Sequence, residues 1–483
     1  MIRLGSKYQH FVRDVGCSCC TPALQQVSHR LEAYTRRRFL AGAGSVALIA
    51  GSPAAAALAQ PSRPQSKTLF RQIRLFDGKS DTLRPGIQVL VDGSKIASID
   101  TTNSPPPADA VVINCGDRVL MPGMIDAHWH TLFAAVPLTV LANGDPGFIF
   151  AASTAEAGRT LLRGFTTVRD LGGPVFTFKQ AIDSGVIPGP RIFPSGAMIT
   201  TSGGHGDMRM MTELPRTPDR LSPIEHMGGA MLADTAGEVE LRAREQLWQG
   251  ASQIKLVASG GVSSPRSPLE MATFSEEELR KGVEVANDWN TYAAGHAYTP
   301  RTIQRAVAAG VTCIEHGHLM DEATARLIAE KRVWLSTQPF LSTEDTAPLT
   351  GSSYEKSRQV FAGTPKLYGF IRKYNIKAAW GSDLLFSPAL TSRQGIMLTH
   401  LTRWYSNAET LRMATSVNAE LLALSNLRNP YPGKLGVVEK GAFADMLVLN
   451  GNPLEDIKLI EDPDRGIAVV MKDGNLHKNT LHS

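Results

Sequence analysis

The sequence predicts an α/β chain: a (β/α)8 TIM barrel carrying a small β-sandwich domain built from both chain ends. Three observations predict it. Eight short apolar segments recur between residues 119 and 383, most of them followed by a helical pattern. β-rich runs broken by turn signals lie at both ends, at 68–118 and 435–475. The 483 residues, 43% of them hydrophobic, suit a large barrel plus an accessory domain. The expected division is a leader at 1–59, half of the sandwich at 60–118, the barrel at 119–425 and the other half of the sandwich at 426–483.

The leader comes first. Thr35-Arg36-Arg37-Arg38-Phe39-Leu40 precedes a mild apolar stretch that ends in Ala57-Leu58-Ala59, a small-x-small cleavage pattern. The segment resembles a twin-arginine signal, which implies the twin-arginine export machinery as a partner and a periplasmic or secreted location. A membrane anchor is the alternative, but Pro53 and the many small residues suit cleavage better than spanning. Cleavage would expose Gln60 and discard Cys17, Cys19 and Cys20, leaving Cys115 and Cys313, for which buried free thiols are expected and a disulfide in an oxidising periplasm is the alternative. The leader also explains the charge. It holds seven Lys/Arg against two acids, while the rest of the chain carries 43 bases and 43 acids. A neutral body without basic runs offers no electrostatic footprint for nucleic acid.

After a polar linker at 61–67, TLFRQIRLFDG, GIQVLVDGSKIASID and ADAVVINCGDRVL alternate apolar runs with turns. Their DG and DGSK turns read as antiparallel hairpins. LGVVEKGAFADMLVLNGNP and IAVVMKDGNL repeat that rhythm near the other end.

Between them lie the eight strand candidates: 119–130, 165–172, 191–196, 253–261, 291–298, 311–318, 333–339 and 377–383. Helical patterns separate most of them, at 235–250, 275–289, 300–310 and 321–331, with Ser275 and Asp321 at N-cap positions. Residues 197–234, rich in Gly and Met, are expected to form an active-site loop.

Barrel active sites sit at the C-terminal ends of the strands. Here those ends carry His128 and His130, Lys255, His296, His316 and Asp383. One histidine on an apolar strand is ordinarily a satisfied core residue; five strand ends bearing metal-competent or titratable groups argue for a site. In His128-Trp129-His130 the two imidazoles lie i and i+2, so both can face one ion. His316 and His318 have the same spacing and compete as ligands. Tyr298 shares a face with His296. His205, in SGGHGD, contacts substrate or caps a Gly-rich turn. Asp170, in RDLGG, supports the site rather than acting in catalysis.

MPGMIDAHWH resembles the first-strand signature of the amidohydrolase superfamily of metal-dependent hydrolases. QIKLVASGG, AAGHAY, IEHGHLMD and WGSD match that pattern in order, and GAFADMLVL extends it into the second sheet half. Within the superfamily the chain is most similar to the prolidase and imidazolonepropionase-like branch, which includes ochratoxinase-type enzymes. The resemblance implies two divalent metal ions, with zinc suited to histidine and carboxylate donors. It implies that Lys255 is carboxylated and bridges the ions. His128, His130 and Asp383 would hold one ion, and His296 and His316 the other. His316 rather than His318 occupies the family position. An ordinary barrel lysine is the alternative for Lys255.

The implied activity is hydrolysis of an amide bond next to a C-terminal amino acid by metal-activated hydroxide, with Asp383 moving the proton. Substrates would be Xaa-Pro-type or other dipeptides, or N-acyl amino acids. Tyr298 stands where dipeptidase-like relatives have a carbonyl-polarising tyrosine; ochratoxinase-type relatives have a histidine there. His205, Arg209 and Tyr298 are the candidate substrate-binding residues, with Arg209 and His205 able to meet a carboxylate. Hydrolysis of cyclic amides, lactones or aryl amides, ochratoxin-like mycotoxins included, is the alternative. A non-catalytic periplasmic binding protein is the alternative of another class. A homo-oligomer is left open.

Overall fold

The computed structural model describes residues 67–101, 105–217 and 220–481. The expected leader, with Arg36 to Arg38, its three cysteines and the Ala57-Leu58-Ala59 pattern, lies outside the described residues, as does nearly all of the 61–67 linker.

Both chain ends enter one seven-stranded sheet. From the front come β1 (Lys67–Leu75), β2 (Arg84–Asp92), β3 (Lys95–Thr101) and β4 (Ala110–Pro122). From the back come β15 (Met446–Leu449), β16 (Ile467–Lys472) and β17 (Asn475–Asn479). Their order is β17-β16-β15-β4-β1-β2-β3. The DGSK and KDGN turns close the β2–β3 and β16–β17 antiparallel hairpins, as the turn chemistry predicts. The sheet curls, so that the two hairpin turns meet over the 442–444 segment. Ala444 N donates to Ser94 O at 2.9 Å, and Gly474 N donates to Ala444 O at 3.1 Å. The curled sheet encloses an apolar core that includes Phe70, Ile73, Val89, Val448 and Val469. β4 continues to Pro122 and pairs with β15, so the last sheet residue abuts the first barrel strand.

All eight expected barrel strands form. They are β5 (Met124–Trp129), β6 (Phe165–Asp170), β7 (Arg191–Pro194), β10 (Ile254–Val257), β11 (Ala293–Ala297), β12 (Cys313–His316), β13 (Trp334–Thr337) and β14 (Ala378–Trp380). Pairing is parallel along β5-β6-β7 and along β10 to β14. The third position is split. After β7 the strand is interrupted at 195–197 and resumes as β8 (Met198–Thr200), where Ile199 lies opposite Leu256. β9 (Ala230–Leu232) adds to β8 in parallel. The 197–234 stretch therefore holds two short strands as well as loop, a difference from the single loop expected.

Closure of the ring depends on Gly381. A Cβ there would lie 2.4 Å from the His128 backbone nitrogen, so only glycine lets β14 approach β5 this closely. Asp383 N then donates to His128 O at 2.9 Å.

Helices cover the outside. Those at Ala236–Gln249, Glu276–Asp288, Pro300–Ala308 and Glu322–Glu330 coincide with the predicted patterns. Ser275 and Asp321 cap two of them, accepting from Glu278 N and Thr324 N. Cys115 and Cys313 are buried free thiols. Among the described residues, no helix is long and apolar enough to cross a membrane.

Candidate active site

The C-terminal ends of the barrel strands open into one cavity. His128, His130, Lys255, His296, Tyr298, His316 and Asp383 all line it. Residues expected to carry chemistry, from five strands, thus meet at one mouth.

His128 and His130 leave β5 side by side, with ring centroids 5.4 Å apart. Their outer nitrogens face one carboxylate oxygen. His128 Nε2 lies 3.4 Å and His130 Nε2 3.5 Å from Asp383 Oδ1. Donor atoms of these three residues fall within 4.8 Å of one another. The inner nitrogens are engaged: His128 Nδ1 lies 2.8 Å from Glu315 Oε2, and His130 Nδ1 lies 3.2 Å from Gly172 O. A ring that donates through Nδ1 keeps its Nε2 lone pair for an ion. Burial pushes the His128 pKa well below the usual range, reinforced by Lys255 nearby, so the ring is neutral. Two imidazoles and a carboxylate fit a divalent cation.

His296 and His316 form the second group, with ring centroids 4.4 Å apart. His296 Nε2 reaches Gly260 O at 3.1 Å, which leaves Nδ1 unprotonated. His316 Nδ1 reaches Gln338 Oε1 at 2.8 Å, which leaves Nε2 unprotonated. Burial lowers both pKa values, and neighbouring histidines add to the shift. Lys255 is 3% exposed, and burial lowers its pKa. Its amine is thereby shifted toward the neutral form. Tyr298 stacks on His316 at 4.9 Å and meets the His296 ring edge-on at 5.1 Å. Burial, then the Asp383 charge, raises its pKa, so the phenol stays protonated and can donate.

Two of these residues sit in left-handed backbone, His316 at φ 75° and Asp383 at φ 52°. Such conformations cost a non-glycine residue on the order of 1–3 kcal/mol and cluster at functional sites. Simple alternation along β12 would put His316 and Glu315 on opposite faces. The left-handed turn at His316 lets both contribute to the site.

The remaining candidates separate. His205 lines the cavity, stacks on His296 at 4.5 Å and pairs through Nδ1 with Ser264 Oγ at 2.8 Å. Burial lowers its pKa to about 3. Gly261 makes room for it, since a Cβ there would lie 2.4 Å from the ring. Arg209 is placed otherwise than expected. Its guanidinium is held by Asp207 at 2.8 and 2.7 Å, and it does not line the cavity. Local pairing two residues away wins over reach into the mouth. His318 turns aside as well, with Nε2 2.8 Å from Gln338 O, and does not line the cavity. Asp170 accepts from Thr131 N at 2.7 Å and from Gly172 N at 3.2 Å, which anchors the loop behind His130.

Three supporting residues escaped the sequence reading. Glu315 lies between Arg169 and His128. Gln338 aligns His316. Asp126 accepts from His128 N, Ser382 N and Ser382 Oγ, tying the strand of one ligand to the strand of another. Burial raises the Asp126 pKa to about 6. The signal for Glu315 and Asp126 was present: each is an acid inside an apolar strand, where a charge demands a partner.

The model of the amidohydrolase family matches residues 119–477. The chain belongs to this family. Ochratoxinase of Aspergillus niger is 30% identical over 384 residues, covering 74% of this chain and 76% of that protein. Among solved structures, a prolidase complexed with N-methylphosphonate-L-proline is 34% identical at a TM-score of 0.77, covering 86% of this chain and 100% of that one. A Xaa-Pro dipeptidase with bound methionine is 28% identical at a TM-score of 0.72, with the same coverage. Membership makes the protein a metal-dependent hydrolase acting on amide bonds. Among the described residues, His128, His130 and Asp383 form a group that could hold an ion.

Proposed function

We propose that this chain is an exported, binuclear zinc amidohydrolase that cleaves the amide bond next to a C-terminal amino acid, in Xaa-Pro-type and other dipeptides or in N-acyl amino acids. The observation that carries the reading is the meeting of His128, His130, Lys255, His296, His316 and Asp383 around the Tyr298 phenol in one cavity. Likeness to a prolidase complexed with N-methylphosphonate-L-proline supports the substrate class.

His128, His130 and Asp383 would hold one ion, His296 and His316 the other, and Lys255 would bridge them. The buried amine of Lys255, shifted toward its neutral form, could attack carbon dioxide through nitrogen and lose one proton, which would convert it to a carbamate anion with two donor oxygens. Bound zinc would supply Lewis-acid polarisation of the amide carbonyl and a water acidified toward neutrality. Asp383 takes a proton from the attacking water and returns it to the leaving nitrogen. Tyr298 donates its phenol hydrogen to the carbonyl oxygen as negative charge develops there. The described lining holds no arginine and only one lysine, Lys255. Recognition of a substrate carboxylate therefore falls to neutral donors, His205 and Ser264 foremost.

A second reading, hydrolysis of aryl amides, cyclic amides or lactones, is favoured by the cavity's aromatic wall. Phe133, Phe340, Phe361 and Phe386 line it, and 30% identity to ochratoxinase points the same way. A screen of the zinc-loaded enzyme against dipeptides, N-acyl amino acids, anilides and lactones separates the readings. Turnover of the first two groups supports the proposal. Turnover of only the last two supports the second reading, and binding without turnover supports a periplasmic binding protein. Export through the twin-arginine route is tested by sequencing the mature N-terminus, expected near Gln60; a mature form retaining Cys17 overturns it.

A further inference from the structure

Glu315 and Arg169 form a fully buried ion pair inside the barrel, both at 0% exposure. Arg169 Nη2 reaches Glu315 Oε1 at 2.7 Å. The rest of the guanidinium is also occupied: Nε donates to Ala127 O at 2.6 Å and Nη1 to the Tyr292 hydroxyl at 3.1 Å. Burial works against the Arg169 charge, but the facing carboxylate overrides this and raises its pKa. The second carboxylate oxygen, Oε2, lies 2.8 Å from His128 Nδ1. A buried ion pair of this kind is weak evidence for stability, because desolvation offsets most of the attraction. Its placement calls for another reason.

A carboxylate clamped by a guanidinium offers the facing ring nitrogen only an acceptor. The His128 proton therefore sits on Nδ1, and the lone pair sits on Nε2, the atom 3.4 Å from Asp383 Oδ1. The competing neighbour would choose the opposite tautomer. Gln338 Nε2, a donor, lies 3.3 Å from the same Nδ1. Glu315 is closer, and the Gln338 amide is already oriented by its bond to His316.

We propose that Glu315, clamped by Arg169, is a positioning residue that sets the His128 tautomer and thereby governs binding at the His128–His130–Asp383 metal position. The inference rests on the reading of these three residues as ligands. It makes a counterintuitive claim about the isosteric variant. In Glu315→Gln, Arg169 is donor-only and captures the amide oxygen. The amide NH₂ is left facing His128 Nδ1. The ring proton must move to Nε2, and the lone pair turns away from the ion. Glu315→Asp keeps an acceptor-only group despite a larger change in packing.

The test uses full-length protein with ¹⁵N-labelled histidine, stripped of metal, together with zinc titration against a competing chelator. His128 is assigned by comparison with His128→Ala. In the wild type the ring should carry its proton on Nδ1, and in Glu315→Gln on Nε2. Glu315→Gln should weaken one of two zinc equivalents by about 10–100-fold, the range found when outer partners of metal-bound histidines are removed. Glu315→Asp should bind zinc more tightly than Glu315→Gln. Three results overturn the proposal: a wild-type His128 protonated on Nε2, unchanged zinc affinity in Glu315→Gln, or an Asp variant weakened as much as the Gln variant. The first needs no variant to fold. If His128→Ala leaves the zinc stoichiometry of the wild type unchanged, the ligand reading itself is wrong; the wild-type tautomer still reports on the carboxylate lock.

Discussion

The curled sheet and the barrel mouth bury different chemistry. Inside the sheet, Phe70, Ile73, Val89, Val448 and Val469 pack as an apolar core. At the mouth the chain buries Asp126, Arg169, Asp170, Lys255, Glu315 and the site histidines. An unpaired charge in such surroundings costs several kcal/mol, so each group needs a partner of fixed geometry. The sheet gains stability from area removed from water, which is tolerant of small changes in shape. The mouth gains directed lone pairs and protons, which are not tolerant. The two regions should therefore answer mutation differently: the sheet through stability with chemistry intact, and the mouth through chemistry.

Asp383→Asn tests the mouth most severely. The proposal gives Asp383 a ligand oxygen and a proton to carry. Loss of the proton transfer alone is worth on the order of 10²–10⁴-fold. Disturbed metal binding adds to this, so turnover of the best amide substrate should fall to near background. Retention of more than a tenth of the wild-type rate would remove Asp383 from the chemistry.

Lys255→Ala comes next. It should abolish the bridge, and zinc content per chain should drop from two. Short carboxylic acids added to the variant should restore part of the activity by supplying a substitute bridge. A variant with two tightly bound zinc ions and full rate would make Lys255 an ordinary barrel lysine.

Tyr298→Phe should be milder and cleaner. It removes one hydrogen bond to the developing oxyanion and touches no proposed ligand. Loss of one such donor costs about 10²–10³ in kcat. The lower end is expected, because zinc would polarise the same carbonyl. The loss should fall on kcat rather than KM, since the bond strengthens toward the transition state. A raised KM at constant kcat would instead assign Tyr298 to the substrate carboxylate. No change in either would make it a packing residue.

The same contrast governs what could be read from the sequence. The sheet was legible because alternation and DG turns are local signals, and they name both hairpins, β2–β3 and β16–β17. The eight barrel strands were legible through another local signal, short apolar runs followed by helical patterns. At the mouth, His128, His130, Lys255, His296, His316 and Asp383 were visible as polar residues at strand ends, and all of them line the cavity. The pairings that orient them were not. Glu315 reaches His128 across 187 positions of chain, and Ser382 reaches Asp126 across 256. Such pairs exist only once the barrel has closed. Arg209 failed for the opposite reason. A short-range tie to Asp207 captured it, and spacing alone could not rank that tie against reach into the cavity.

The smallest expected effect is the sharpest test of the division. Ile73 is fully buried in the sheet core, in β1, where the strand pairs with both β2 and β4. Ile73→Val deletes one methylene and leaves the surrounding strands in place. Such a change typically costs about 0.5–1.5 kcal/mol. The denaturation midpoint should fall accordingly. The values of kcat and KM, and the zinc content, should match the wild type within error, because, among the described residues, the hydrogen bonds named at the mouth involve none of this core. The measurement pairs chemical denaturation with steady-state kinetics on the same preparation. A tenfold loss in kcat accompanying so small a loss in stability would mean that the sheet sets the geometry of the ligands. The separation of the two regions would then fail, and the pairing of β4 with β15, which runs up to the start of β5, would be the first place to look for the connection.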